Sequence, residues 1–395
     1  MRDISTETHS SLSMQALVLC DVGRMELRDV PRPRMGARDV LVRVAAVGLC
    51  GTDIHIFAGH ANYHTDARGK RIPLTQHPQI LGHEISGVVE EVGASVTDLR
   101  VGDRVVIDQG LNCVSAGREA LCEYCATGDS HQCEFYLEHG ITGLPGGLAD
   151  YLAVPAVNAI RIDSDVDIAE AALTEPLSCI IHSSDTVAAR GAGARYKLND
   201  DERERRVQAM LVCGAGPAGL LFVQYLRNVL GYDGLLLVAE PNERKRALAA
   251  KFGAETIDPR DVDLTEAVME KTGGRRVEYL IEASGAGQVF ALIPGLIRKQ
   301  ATVLLYGHGH AGTDLSTINN VNFMEPLLVS AVGASGGFDA DNRPSVYRRA
   351  LRFISDNRIK VAPFITHRYT SLHQVPSALA HEYLRSDYVK GVVTL

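Results

Sequence analysis

Three glycines, Gly214, Gly216 and Gly219, stand between the apolar run Ala209-Met210-Leu211-Val212-Cys213 and an apolar helical stretch over 220–230. A G-x-G-x-x-G in that setting admits few folds. The first glycine permits a tight turn, the second lets the backbone approach a pyrophosphate, and the third lets the helix pack on its strand. Pro217 and Ala218 complete the fingerprint, and the unpaired N–H groups of the helix start favour an anion there. A second apolar run, Leu235–Ala239, ends in Glu240, roughly 20 residues beyond the glycines, where an acid accepts hydrogen bonds from ribose hydroxyls. Glu240 would repel a 2′-phosphate, so NAD is expected over NADP, although Arg244 and Arg246 offer such a phosphate a partner.

Strand and helix then alternate: a helix over 243–252, a strand near Thr256-Ile257, a helix around 264–271, and a strand over 277–282 ending at Ala283-Ser284-Gly285. Strands over 302–306 and 327–332 end in Gly307 and Gly333. Such alternation predicts a doubly wound parallel sheet, with Ser284, Gly307 and Gly333 lining the cofactor cleft at its carboxyl edge. The first part of the chain reads differently. Ala16, Val18, Val40, Val42 and Val44 follow period-two alternation, as does the stretch over 86–106, so half-buried strands are expected. A chain of 395 residues exceeds one compact core, and two domains follow.

The β-rich part holds the candidate chemistry. Cys50, His83 and Glu84 offer a thiolate, an imidazole and a carboxylate, the ligand types of a catalytic zinc, which keeps an open position for substrate. Thr52 and His55 flank Asp53 and could carry a proton away from an alcohol at that position. Cys113, Cys122, Cys125 and Cys133 read as a closed structural zinc site, or as a degenerate, empty one. A segment over 59–77 with His60, Asn62, Tyr63, His64 and His77 reads as a solvated loop or a substrate-side one.

The strings GLCGTDIH, LGHE and CGAGPAG resemble those of the zinc-dependent medium-chain dehydrogenase family, from Met14 onward. The resemblance implies an α/β protein: a GroES-like β-barrel catalytic domain plus a Rossmann doubly wound cofactor domain. The domains then read as a disordered extension over 1–13, a catalytic domain over 14–182, an NAD-binding domain over 183–336, and a return to the catalytic domain over 337–395. It also implies NAD, two zinc ions per chain, and a homo-oligomer, a dimer or tetramer. Thr52 would accept the alcohol proton and pass it through the ribose to His55. Asp53 would orient His83, or serve as a plain turn residue. Glu175 falls where family alcohol dehydrogenases place a cysteine ligand to the catalytic zinc, which leaves Glu84 and Glu175 as rival direct ligands, with Glu175 otherwise supporting the metal's ligands from behind or serving only as a helix-start residue. The lobe departs from the family pattern, because eight residues separate Cys113 from Cys122, as if by an insertion. A second insertion over 191–206, GAGARYKLNDDERERR, is expected to be a solvated linker.

A net charge of −8 argues against a nucleic-acid partner. The apolar runs are strand-sized, well short of the roughly 20 residues of a membrane span. Met1 to Ser13 shows no secretory leader, and a cytoplasmic protein with reduced thiols is expected. The function that follows is hydride transfer between NAD and a small-molecule secondary alcohol: a polyol, cyclitol or sugar derivative. A threonine 3-dehydrogenase shares the Glu175-Pro176-Leu177 signature and is the rival, with a simple secondary-alcohol dehydrogenase and a nonenzymatic nucleotide-binding protein behind it. Ala334-Ser335 stands where polyol enzymes often carry an Arg-Tyr pair, so hydroxyl recognition falls to the segment over 59–77.

Overall fold

The computed structural model describes residues 13–309, 314 and 316–395. The extension expected at the N-terminus lies outside these, except for Ser13, which pairs with Pro31 in the first strand. In chain order the first strands are β1 (Ser13–Asp21), β2 (Arg24–Pro31), β3 (Asp39–Leu49), β4 (Gln79–Ile80), β5 (Glu84–Val92) and β6 (Arg104–Ile107). The short pair β7 (Gly110–Leu111) and β8 (Leu137–Glu138) follows, then β9 (Tyr151–Pro155) and β10 (Ala159–Arg161). Helix α1 (Gly51–Phe57) follows β3, and α2 (Glu123–Thr127) lies between β7 and β8. These strands make a three-stranded sheet, β2-β1-β4, and a larger one whose centre runs β6-β5-β3. The period-two series predicted for β3 sends Val40, Val42 and Val44 into one apolar core with Leu17, Leu81 and Ile85, and a register shift between Val44 and Ala46 brings Val47 to the same core.

Helices α3 (Ile168–Ala171) and α4 (Thr174–Arg190) lead to the second sheet. The sequence reads as one helix here; the chain makes two, broken at Ala172-Leu173. Strand β11 (Ala209–Cys213) then meets α5 (Pro217–Gln224), and β12 (Leu235–Ala239), α6 (Glu243–Lys251), β13 (Glu255–Ile257), α7 (Leu264–Lys271), β14 (Val277–Glu282), α8 (Gly287–Leu296), β15 (Ile297–Leu305), α9 (Thr317–Asn322) and β16 (Leu327–Ser330) follow. Their order, β13-β12-β11-β14-β15-β16, is parallel throughout, as a doubly wound sheet requires. Both faces are covered. Met210, Val212, Leu236 and Val238 join one core, while Ala209, Leu211, Leu237 and Ala239 join another, so neighbours on one strand serve opposite faces.

The chain ends with α10 (Ser345–Ser355), β17 (Ile365–Tyr369), α11 (Val375–Ala380) and β18 (Lys390–Thr394). Strand β18 inserts between β3 and β17, so the tail closes the first sheet. The 191–206 insertion is solvated along most of its length, as expected, but it is anchored at two points. Lys197 bridges Arg206, and Tyr196 is buried in the core beneath the parallel sheet. No helix among the described residues is long and apolar enough to cross a membrane.

Candidate active site

Asp53 joins the two halves of the site. It is fully buried on the first turn of α1, where its Oδ2 accepts the Cys50 N–H at 2.9 Å and its Oδ1 accepts the Gly82 N–H at 3.1 Å. One carboxylate thus pins the segment carrying Cys50 to the segment carrying His83 and Glu84. Gly82 is needed for the turn, since its φ is +91° and a Cβ would meet Val47 at 2.8 Å. Oδ1 also stands 3.4 Å from His83 Nδ1, a charge contact longer than a good hydrogen bond.

The ligand atoms of Cys50, His83 and Glu84 lie within 4.8 Å of one another. Glu84 is fully buried at the start of β5, and its Oε1 takes the ammonium of buried Lys390 at 2.5 Å. Its Oε2 is buried without a hydrogen-bond partner. Burial opposes a charged His83, yet Asp53 and the Cys50 thiolate hold its pKa well above the ordinary value. A buried orphan oxygen, a thiolate and a strong local demand for positive charge fit a zinc ion.

Glu175, on the first turn of α4, falls outside that trio. Its Oε1 accepts Gln109 Nε2 at 3.0 Å and the Cys179 thiol at 3.3 Å. Burial raises it to about 7, with the His83 charge pulling down and Glu84 and Glu138 pushing up. Asp108 is also raised to about 7 by burial, and Glu138 is raised for the same reason. A buried carboxyl cluster therefore backs the trio. Sequence reasoning missed Lys390, Gln109 and Glu138. A lysine inside the apolar strand YVKGVVTL was the available signal, because a buried ammonium requires a carboxylate partner.

Thr52 and His55 share α1 at helical spacing, on the same side. The Thr52 hydroxyl lies 3.8 Å from Cys50 Sγ. His55 is half-buried, and desolvation, then His60 and His308, lower its pKa, which leaves a neutral imidazole able to take a proton. The charge of His308, just past β15, is felt at His55, and Tyr306 before it feels Cys50 and Glu84. The carboxyl edge of the parallel sheet thus faces the trio. In the segment over 59–77, Asn62 is spent on the loop itself, donating to Ile72 O at 2.8 Å and accepting from His64 N at 3.0 Å. His64 packs edge-on against His77, and Tyr63 stays largely exposed.

The glycine-rich turn forms as the sequence predicts. Gly216 caps α5 with no side-chain cap bond, and Pro217 opens the helix. Gly219 packs so tightly that a Cβ would sit 2.0 Å from Gly214 O. Ala218 lies on the first turn of the same helix. Glu240 ends β12 with its Oε2 on the Ala215 N–H at 2.7 Å, beside the turn. Arg246 is engaged, bonding Glu240 O at 2.8 Å and Asp258 at 2.8 Å, whereas Arg244 is exposed. Ser284 and Gly307 follow β14 and β15, and Gly333 lies past β16 against the His131 ring. Glu282 gathers the Ser284 N–H at 2.8 Å and the Gly307 N–H, through its carbonyl, at 2.8 Å.

Cys113, Cys122, Cys125 and Cys133 bring four buried Sγ atoms within 4.8 Å of one another, a set that fits tetrahedral zinc. Cys122 caps α2 and Cys125 lies one turn on. The insertion after Cys113 loops out and returns, with Arg118 N bonded to Cys113 O at 2.9 Å and its guanidinium 3.7 Å from the Phe135 ring centroid. Extra length therefore leaves the cluster intact.

The model of the alcohol dehydrogenase GroES-like domain matches residues 36–164, and that of the zinc-binding dehydrogenases matches residues 217–356. The chain belongs to the zinc-dependent medium-chain dehydrogenase family, and it is an enzyme of the alcohol and polyol dehydrogenase class. It is similar to an L-threonine 3-dehydrogenase of Pyrococcus furiosus, 30% identical over 93% of this chain and 94% of that one. It is also similar to a sorbitol dehydrogenase of Halalkalibacterium halodurans, 29% identical over 90% and 93%. Among solved structures, a zinc-binding dehydrogenase of Sinorhizobium meliloti bound to NADP superposes with a TM-score of 0.77 at 27% identity, covering 97% of this chain and all of that one.

Proposed function

We propose that the enzyme interconverts a polyhydroxylated secondary alcohol and its ketone with NAD as hydride partner. The observation that carries this reading is the trio Cys50, His83 and Glu84, clamped by Asp53 and Lys390 and facing the carboxyl edge of the cofactor sheet. Zinc held there supplies Lewis acidity toward an alcohol oxygen. Thr52 accepts the hydroxyl proton and neutral His55 takes it on toward solvent. The polar surroundings favour a substrate with further hydroxyls: Glu175 and Glu138 stand near the trio, and a site built on hydrogen bonds discriminates strongly against analogues lacking them.

The α5 start and Glu240 take the cofactor's pyrophosphate and ribose. Because Arg246 is tied to Asp258, Glu240 meets a 2′-phosphate with only the exposed Arg244 left to compensate. We expect kcat/KM to be at least about tenfold higher with NAD, and Glu240→Ala to narrow the gap. Equal efficiency with both cofactors in the unmodified enzyme would overturn this.

A second reading, L-threonine, is favoured by the similarity to threonine dehydrogenases and by the Glu138 carboxyl near the trio, an ammonium partner. Steady-state kinetics with polyols, L-threonine and 2-butanol separate the two. A polyol preference supports the first reading, an L-threonine preference replaces it with the second, and a 2-butanol preference removes both.

A further inference from the structure

At the amino edge of the parallel sheet, opposite the cofactor cleft, lies a concentration of positive charge that the reaction does not use. Arg275 and Arg276 precede β14, Arg298 and Lys299 begin β15, and Arg195 with Tyr196 comes from the 191–206 insertion; together they line a cleft of about 640 Å³. Five cations in one cleft run against the charge of a chain that is −8 overall.

Local carboxylates do not balance them. Buried Glu278 pairs with Arg298 at 2.7 Å and Arg275 at 3.4 Å through Oε1, while its Oε2 accepts the N–H groups of Gln208 at 3.2 Å and Ala209 at 2.9 Å. That carboxylate is saturated. Glu325 on the rim accepts from Gln300 at 3.3 Å. Among the described residues, no carboxylate lies within ion-pair distance of Arg195, Arg276 or Lys299.

Three further features mark a built site. Arg276 Nε is buried with no hydrogen-bond partner. The Tyr196 ring fixes two guanidinium groups, with Arg298 5.1 Å and Arg195 5.6 Å from its centroid. Arg276, Gln300 and Glu325 all line the cleft with positive φ, at 66°, 62° and 45°, and make up three of the five such non-glycine residues among those described. Backbone strain of this kind persists where the surroundings hold it and gathers at ligand clamps.

We propose that this cleft binds a small polyanion carrying two or more phosphate or carboxylate groups, at a site separate from the cofactor cleft. Guanidinium forks suit either group bidentately, Lys299 adds a point charge, and a cleft of this size exceeds the needs of a single anion. The ligand supplies the negative charge that the chain omits, and its binding relieves the mutual repulsion of the cations.

Calorimetric titration of the full-length, zinc-loaded enzyme saturated with NAD tests this, since NAD fills the other phosphate site. One arm uses 2,3-bisphosphoglycerate, which carries phosphates; the other uses tricarballylate, which carries only carboxylates. We expect one ligand per chain in at least one arm, the tighter arm identifying the group. We also expect binding at least about tenfold weaker in Arg276→Gln/Lys299→Gln and, separately, in Arg195→Gln, which alters only the inserted loop. Turnover without ligand should be unchanged in all variants. No binding in either arm, or binding equally tight in both variants, would overturn the proposal.

Discussion

Lys390 and Glu84 form an ion pair whose side chains are only 3% and 0% exposed, so neither partner can be removed without leaving the other charge buried. Breaking such a pair from one side costs about 3–5 kcal/mol, whereas replacing both sides is far milder. In zinc-free protein, Lys390→Met should lower Tm by several degrees, and Glu84→Gln/Lys390→Met should regain more than half of the lost Tm, read by calorimetry. A double variant no more stable than Lys390→Met would disprove the coupling. Asp108 gives a pH-dependent counterpart. Burial raises its folded pKa from 3.8 to about 7, so the folded chain holds a proton that the unfolded chain has released. Its contribution is therefore full below about pH 4 and declines as pH rises to about 7, by a few kcal/mol at most. Asp108→Asn should flatten the fall in Tm between pH 5 and 7.5, and an unchanged slope would count against a protonated Asp108.

At the scale of elements, the β11–α5 turn depends on contact between backbone atoms. A methyl group at Gly219 would sit 2.0 Å from Gly214 O, and that carbonyl cannot move without opening the turn. Gly219→Ala should weaken NAD binding by more than about tenfold in fluorescence titration while leaving both zinc sites loaded. Binding within twofold of the unmodified chain would show that the turn yields. The turn was legible because a strand, three spaced glycines and a helix lie within one short stretch. The break between α3 and α4 was less plain: the alanine-rich start at Ile168 suggests one helix, yet Pro176, which has no N–H for the Ala172 carbonyl and is tolerated only in a first turn, marks the restart near Thr174. The charge of the 191–206 insertion did not reveal that Tyr196 would be buried and Arg195 placed beside Arg298.

At the scale of the whole molecule, the last strand ties the ends of the chain together. Strand β18 lies between β3 and β17, packs Val392 and Val393 into two different cores, and carries the partner of Glu84. Removing residues 390–395 should abolish cooperative unfolding and zinc retention, although none of them belongs to the ligand trio; a truncated chain that keeps its zinc and its activity would refute this. Arg343 makes a similar long-range tie, bonding Ala159 O at 2.9 Å and Ala156 O at 3.2 Å from the segment that returns after the parallel sheet. Periodicity, the glycine spacing and the kinds of metal-ligating residue were readable from the chain alone, because backbone sterics and burial set them within about ten residues. Only the tertiary structure places the Glu84 carboxylate beside Cys50 and His83 with Glu175 outside their 4.8 Å spacing, and pairs Glu84 with Lys390, 306 residues away in sequence. The same holds for the Asp53 clamp and the polycationic cleft: which charges meet depends on how distant strands close, and no local pattern records that.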